Sequence, residues 1–165
     1  MLRADLLDTW VAATDAGGSV GFTAPAPVDA ITAALDAVLA RVRDGVDVLG
    51  VLRDGDRAVG MGVLVDSRAW VFPHWRTVSR LMVHPSLQRR GAGTLLLEGL
   101  HGTARDLGLE ELVVWVRDGE GLQGFYARAG YAEVGRHPGG IRLPDGDRDG
   151  VMMLARLAVG QPQAG

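Results

Sequence analysis

The chain has 165 residues, of which 47% are apolar and 22% are charged, and its formal net charge is −3. This balance is typical of a folded globular protein, and the weak negative charge argues against nonspecific binding of nucleic acid. All 17 basic residues are arginines and there is no cysteine, so disulfides, thiolate zinc sites and lysine nucleophiles are excluded.

Two amphipathic helices are predicted in the first quarter of the chain. Apolar residues recur at steps of three and four from 6 to 11 and again from 28 to 42, which is the helical period. Gly17 and Gly18 end the first helix, and the segment 19–27, which contains Gly and Pro, predicts a loop between the two.

The rest of the chain alternates short strands with two further helices. A strand that stops at Pro85 leads into the clearest helix, and an unbroken apolar run then predicts a strand that is covered on both faces. The predicted strands are 47–53, 58–65, 76–84, 112–116, 131–136 and 150–157, and the predicted helices are 91–107 and 120–129. This order predicts an α/β fold around a mixed sheet, with a parallel strand–helix–strand crossover from about 76 to 117.

The absence of a long linker predicts a single domain over residues 1–157, followed by a disordered C-terminal tail over 158–165. No apolar run approaches the ~20 residues of a membrane span, and no basic-then-apolar leader opens the chain. We therefore expect a cytoplasmic protein that contacts neither a membrane nor nucleic acid, and that is a monomer or a homodimer.

The segment before the main helix predicts a site for an anion. It consists of Gln88, Arg89, Arg90, Gly91, Ala92, Gly93 and Thr94. The glycines let a ligand approach the backbone, the first helical N–H groups lack internal partners, and the arginines add positive charge. A P-loop is excluded without lysine, and a dinucleotide fingerprint lacks its third glycine at Leu96. The pattern Q/R-x-x-G-x-G/A fits at every position, although such a sequence is also compatible with a simple tight turn.

This segment resembles the pyrophosphate-binding loop of the GNAT superfamily of N-acetyltransferases. Residues 81–93 match that family's strand, proline and loop in order, and residues 125–131 match its F/L-Y-x-x-x-G-F/Y helix end. The similarity covers residues 47–157. It implies a GNAT-like mixed central β-sheet that is flanked by helices and contains a splayed parallel strand pair.

A finer similarity is to the tabtoxin-resistance-type acetyltransferases, which modify small amine-bearing molecules. It rests on residues 20–22, the His84–Pro85 junction and residues 139–149. The chain also departs from the family pattern. Gly119 stands where many members have asparagine, Thr77 stands where tabtoxin-type relatives often have an acid, and the usual strand before the first helix is absent.

The resemblance implies that acetyl-CoA is the acetyl donor and that no metal is required. Its pyrophosphate would bind the amides of the loop from Arg89 to Thr94, and its pantetheine arm would pair with the backbone of Leu81, Met82 and Val83. The acceptor would be a primary amine of a small molecule that attacks the thioester directly. Tyr126 matches the family tyrosine that gives a proton to the departing thiolate; on its residue type alone, a buried core tyrosine is the alternative.

Neither the general base nor the acceptor is identified by the sequence. His74 and His84 are the histidines nearest the predicted site. The acceptor pocket is expected from 19–27, 70–77 and 138–149, where three aspartates either attract a cationic amine or form a solvated acidic turn. A non-catalytic acetyl-CoA-binding sensor or scaffold is an alternative function, and an unrelated domain that binds ATP or NAD is another.

Overall fold

The computed structural model describes residues 1–158, so residues 159–165 of the predicted tail lie outside the described part of the chain. The helices are α1 (Leu2–Asp15), α2 (Val28–Arg43), α3 (Ala92–Asp106) and α4 (Leu122–Arg128), with a 3₁₀ turn at Pro85–Leu87. The strands are β1 (Val48–Asp54), β2 (Arg57–Val65), β3 (Trp75–Val83), β4 (Glu111–Arg117), β5 (Ala132–Ile141) and β6 (Arg148–Arg156). Within residues 1–158, no helix has the length and apolar character needed to cross a membrane.

All six strands form one sheet in the order β1-β2-β3-β4-β6-β5. Neighbouring strands are antiparallel except for β3 and β4, which run parallel and are connected through α3. The prediction of a mixed α/β sheet is therefore confirmed.

Helices cover the two faces of this sheet, and each face has its own apolar core. Leu6 and Trp10 of α1 and Ile31 of α2 are fully buried against residues of β2. On the other face, Leu97 and Leu100 of α3 are buried with residues of β4, α4 and β6. We call these two sides the α1 face and the α3 face.

Glycines on the first two strands allow α3 to approach the sheet closely. A Cβ atom at Gly50 or at Gly62 would lie 2.7 Å from a side-chain carbon of Leu100. Real Cβ atoms are not found at such short distances, so the leucine fits only because both positions lack a side chain. This contact fixes α3, and with it the N-terminus of that helix, above β1 and β2.

The parallel pair separates halfway along its length. Residues from Trp75 to Val78 pair with β4, and the pairing between the two strands then ends. At the same point the register between β2 and β3 shifts, so that two residues, Arg80 and Leu81, lie opposite Gly62. Arg80 has a φ of +51°, as expected of a residue in a β-bulge. The bulge bends β3 away from β4 and opens a split between them, as the resemblance implies.

The last hairpin differs from the prediction, because half of the segment 138–149 is strand and the loop is shorter than expected. β5 continues to Ile141 and β6 begins at Arg148, which leaves a turn of residues 142–147. A register shift between His137 and Ile141 accommodates Pro138 and the two glycines that follow it. These residue types predict a loop, but an edge strand such as β5 tolerates them in a bulge.

A buried histidine makes the fold sensitive to acid. The Nε2 atom of His101 on α3 lies 3.0 Å from the Tyr131 hydroxyl, and burial followed by repulsion from Arg105 lowers the pKa of His101 below its ordinary 6.5. The unfolded chain therefore takes up this proton at a higher pH than the folded chain. We expect the free energy of unfolding to fall as the pH drops below about 6.5, by at most about 1.4 kcal/mol per pH unit for one proton.

Chemical denaturation at several pH values between 7 and 5 measures this dependence. The variant His101→Gln has no group that titrates at this position, so its free energy of unfolding is expected to change less over the same range. If the free energy of unfolding fell equally with pH in both proteins, other groups would be responsible for the acid sensitivity.

Candidate active site

Three backbone N–H groups are free at the N-terminus of α3. The first intrahelical bond runs from the Leu95 nitrogen to the Gly91 carbonyl oxygen at 3.0 Å, so the amides of Ala92, Gly93 and Thr94 precede it. Among residues 1–158, no side chain caps this end of the helix. The amides and the positive end of the helix dipole therefore offer a binding site for an anion.

Two residues with a left-handed backbone conformation shape the loop before α3. Gly91 has a φ of +80°, which costs glycine little, whereas Arg89 has a φ of +60°, which is unfavourable for a residue with a Cβ atom. Such a backbone turns successive N–H groups toward a common point, which is a typical anion-binding geometry. Arg89 and Arg90 are both exposed and add positive charge beside these amides.

A groove runs from this helix end between α3 and α4. A Cβ atom at Gly93 would lie 3.7 Å from the ring of Phe125, an ordinary contact distance, so the glycine is not required for packing against α4. The groove is lined by Thr94, Leu97, Glu98, His101, Phe125, Arg128 and Ala129. It leaves open space next to the free amides, on the α3 face.

The second half of β3 presents unpaired backbone groups to the split. The His84 nitrogen donates to the Val59 oxygen at 2.8 Å, and Met82 pairs with β2 in the same register. In a trans peptide unit the N–H and C=O groups point in opposite directions. Along an antiparallel strand, the backbone groups of successive residues therefore alternate between facing the partner strand and facing away from it. The Leu81 carbonyl and both backbone groups of Val83 therefore face the split, whereas the polar backbone groups of Met82 face β2.

Gln88 is placed differently from the other residues of the predicted loop. Its side-chain amide donates to the Val83 carbonyl oxygen at 3.2 Å, so it closes the outer end of the split instead of facing the helix N-terminus. The Leu81 carbonyl and the Val83 N–H remain as the groups that an extended ligand can pair with.

Tyr126 lies on the α3 face, in the apolar core beside β4. Its ring packs edge-on against Phe125 and Tyr131, with centroids 5.0 and 5.2 Å away. Its hydroxyl forms no hydrogen bond with any residue of the described part of the chain. Burial raises the pKa of Tyr126, so the phenol keeps its proton at neutral pH and can act as a donor.

Arg80, which sequence analysis did not identify, lies at the bulge on the α1 face. Its guanidinium carbon is 5.3 Å from the centroid of the Trp10 ring. The Trp10 indole donates to the Val20 carbonyl at 3.1 Å, and Phe22 packs against the same ring. The loop that connects α1 to α2 is thereby held beside the split. No sequence signal marks Arg80, because the bulge that positions it is a tertiary feature.

Arg117, at the end of β4, approaches the same loop from the other side of the split. It is buried, pairs with Glu120, and donates from Nη2 to the Gly17 carbonyl at 3.4 Å. Its Nε atom is buried and has no hydrogen-bond partner within residues 1–158. The two arginines thus flank the split, one on each strand.

The predicted acidic cluster forms a set of ion pairs at the surface of the β5–β6 hairpin. Each aspartate pairs with an arginine of the same hairpin, and the pairs are Asp145 with Arg148 at 2.9 Å, Asp147 with Arg142 at 3.2 Å and Asp149 with Arg136 at 3.1 Å. Asp149 also accepts from the Gly139 nitrogen at 3.0 Å. Arg136 also pairs with Asp118 and Glu133, so its single positive charge is shared among three carboxylates.

The segment 70–77, also predicted for the acceptor pocket, lies before the point at which β3 and β4 separate. Residues 70–74 precede β3, and from Trp75 to Arg80 the strand rises about 16 Å at ~3.3 Å per residue. His74 lies at this distant end, and His84 follows the other end of the strand, where its Nδ1 atom is 2.8 Å from Ser86 Oγ. Neither histidine is at the point where the strands separate.

The family model described as the acetyltransferase (GNAT) family matches residues 20–131 of the chain. The structure is similar to the ribosomal-protein-alanine N-acetyltransferase from Brucella melitensis, with 20% identity, a TM-score of 0.76, and coverage of 95% of this chain and 97% of that chain. It is also similar to a candidate acetyltransferase from Salmonella typhimurium, solved with its cofactor acetyl-CoA, with 19% identity, a TM-score of 0.77, and coverage of 100% and 95%.

An aminoglycoside 6'-N-acetyltransferase complexed with coenzyme A is 14% identical, with a TM-score of 0.71 and coverage of 98% of this chain and 93% of that chain. No curated protein sequence matches the chain significantly. These three structural similarities cover between 95% and 100% of this chain.

Proposed function

Since the chain belongs to the GNAT family of acetyltransferases and uses acetyl-CoA as its acetyl donor, we propose that it acetylates the primary amine of a small molecule. The named acceptors of its structural neighbours, a ribosomal-protein alanine and an aminoglycoside, differ greatly in size. The similarity of residues 20–22 and 139–149 to the tabtoxin-resistance type supports a small acceptor for this chain.

The observation that carries the proposal is the split between β3 and β4 beside the free amides of α3. The pyrophosphate of acetyl-CoA would accept hydrogen bonds from the amides of Ala92, Gly93 and Thr94, with Arg89 and Arg90 alongside. The pantetheine arm is an extended chain with amide groups, and it would pair with β3 in the manner of an added strand. Its partners would be the Leu81 carbonyl and the Val83 N–H.

The reaction follows from these placements. The neutral amine attacks the thioester carbonyl, a C–N bond forms, the C–S bond breaks, and coenzyme A leaves as a thiolate. Tyr126 gives its phenolic proton to this sulfur, and the proton lost by the amine restores the phenol through solvent. An alkylamine with a pKa near ~10.4 must first lose a proton, and water is the base that we propose.

Release of the coenzyme A thiol from acetyl-CoA tests the proposal. The native chain is incubated with a panel of primary amines, each paired with its N,N-dimethyl derivative, which cannot form a stable amide. We expect thiol release to increase only with primary amines, and the product mass to increase by one acetyl group. Binding of coenzyme A without release for any amine would contradict acetyl transfer to a small molecule.

A further inference from the structure

The bulge of β3 contains a positive charge that the protein does not balance. Arg80 is half-buried, and no carboxylate of residues 1–158 lies within ion-pair distance of it. Its only hydrogen bond to a described side chain goes to Ser79 Oγ at 3.2 Å. Burial lowers the pKa of Arg80 and only Asp47 acts in the opposite direction, yet an arginine stays charged in a protein. Such a desolvated charge favours an anionic partner.

This charge is on the opposite side of the sheet from the cofactor groups. Arg80 stacks on Trp10, whose ring belongs to the core of the α1 face. Tyr126 and the groove beside α3 belong to the α3 face. The pyrophosphate-binding amides therefore do not share a ligand with Arg80, and the molecule that meets Arg80 enters from the α1 face.

Aromatic rings and the loop between α1 and α2 surround the inner side of Arg80. The Trp10 ring under the guanidinium is fully buried, Phe22 packs against it, and the Trp10 indole N–H donates to the Val20 carbonyl. Arg117 holds the loop at Gly17 on the other side of the split. Asp47 is the one described carboxylate whose charge acts on Arg80, and it is already paired with Arg41 at 2.6 Å. The exposed part of Arg80 therefore presents an unpaired positive charge beside the split, on a buried aromatic support.

From this arrangement we infer that the acceptor is an amino carboxylate, bound through its carboxylate by the guanidinium of Arg80. The planar guanidinium offers two parallel N–H donors that match the two oxygens of a carboxylate. The inference rests on the proposed acetyl transfer, and it narrows the acceptor to amines that carry a negative charge. Polycationic amines are expected to be poor substrates, because the unpaired charge of Arg80 would repel their additional positive charges.

The test compares amino acids with their amides, which have the same amine and side chain but no carboxylate. The native chain is expected to acetylate the acids with a higher kcat/KM. In Arg80→Met, kcat/KM for the acids is expected to fall by about 10- to 100-fold, the range for a lost charged hydrogen bond, while the value for the amides changes little. Arg80→Lys keeps the charge but not the paired donors, and we expect its kcat/KM for the acids to lie between those of Arg80→Met and the native chain.

Arg43→Met is the matched control, because it removes the same charge from an exposed position at the end of α2. Affinity for coenzyme A, measured by calorimetry, should be the same in all four proteins. Equal kcat/KM for acids and amides in the native chain, or an equal loss for both in Arg80→Met, would overturn the inference and leave the proposed acetyl transfer standing. Absence of thiol release with every acid and every amide would overturn both.

Discussion

Replacement of Gly91 by glutamate is expected to abolish binding of coenzyme A. The new carboxylate would stand at the N-cap of α3, beside the three amides proposed to bind the pyrophosphate. It would repel the phosphates and could itself occupy the N–H groups. Each lost hydrogen bond to a charged group is worth about 1.5–3 kcal/mol, so affinity should fall by about 100-fold or more. Calorimetric titration with coenzyme A measures the change.

Gly99→Glu is the matched control for this variant. It introduces the same residue in the same helix, at an exposed position where a Cβ atom meets nothing within 4 Å. The φ of +80° at Gly91 also predicts a small loss of stability for Gly91→Glu, about 1 kcal/mol, which thermal unfolding would reveal separately. Equal affinity for coenzyme A in Gly91→Glu and the native chain would show that the phosphates bind elsewhere.

Removal of the Tyr126 hydroxyl is expected to slow the reaction without weakening cofactor binding. The Tyr126→Phe variant keeps the ring and its packing against Phe125 and Tyr131. It lacks the hydroxyl that we propose protonates the leaving thiolate, and loss of a general acid lowers kcat by about 100-fold or more. Steady-state kinetics with a primary amine, together with calorimetric titration of coenzyme A, separate the two effects.

Tyr131→Phe provides the comparison, since it removes a hydroxyl from a neighbouring buried tyrosine. That hydroxyl contacts His101 at 3.0 Å, so its loss should reduce stability by about 1 kcal/mol and leave kcat close to the native value. An equal kcat for the native chain and Tyr126→Phe would remove Tyr126 from the mechanism.

The order of the elements and the mixed sheet could be predicted from periodicity, because these features depend on which residues each element buries. The β5–β6 hairpin could not, since Pro138 and Gly139 indicate a turn in the sequence and form a bulge in the structure. Whether such residues break a strand depends on its place at the edge of the sheet, which is not a local property.

In the candidate site too, features that are local in the sequence could be predicted, whereas features that depend on tertiary packing could not. The helix N-terminus at Gly91 could be predicted because glycines, arginines and the start of a helix are adjacent in sequence. The position of Arg80 could not, because it follows from a bulge opposite Gly62 and from the packing of Trp10 across the sheet. The pairing of Asp149 with Arg136 likewise depends on strand register, so the sequence left open whether the aspartates attract a cationic amine or form a solvated turn.

Because β3 and β4 pair over only a short length, we expect the stability of the fold to depend on binding of the acetyl donor. Four residue pairs connect the two strands, and beyond Val78 the pantetheine arm would supply the missing backbone partners. A ligand at 100 times its dissociation constant stabilises a protein by about 2.7 kcal/mol. Protease digestion should therefore slow when coenzyme A is added, and amide exchange at Val83 should slow with it. The bound coenzyme would then stabilise the chain reversibly and protect it from degradation when acyl donors are abundant.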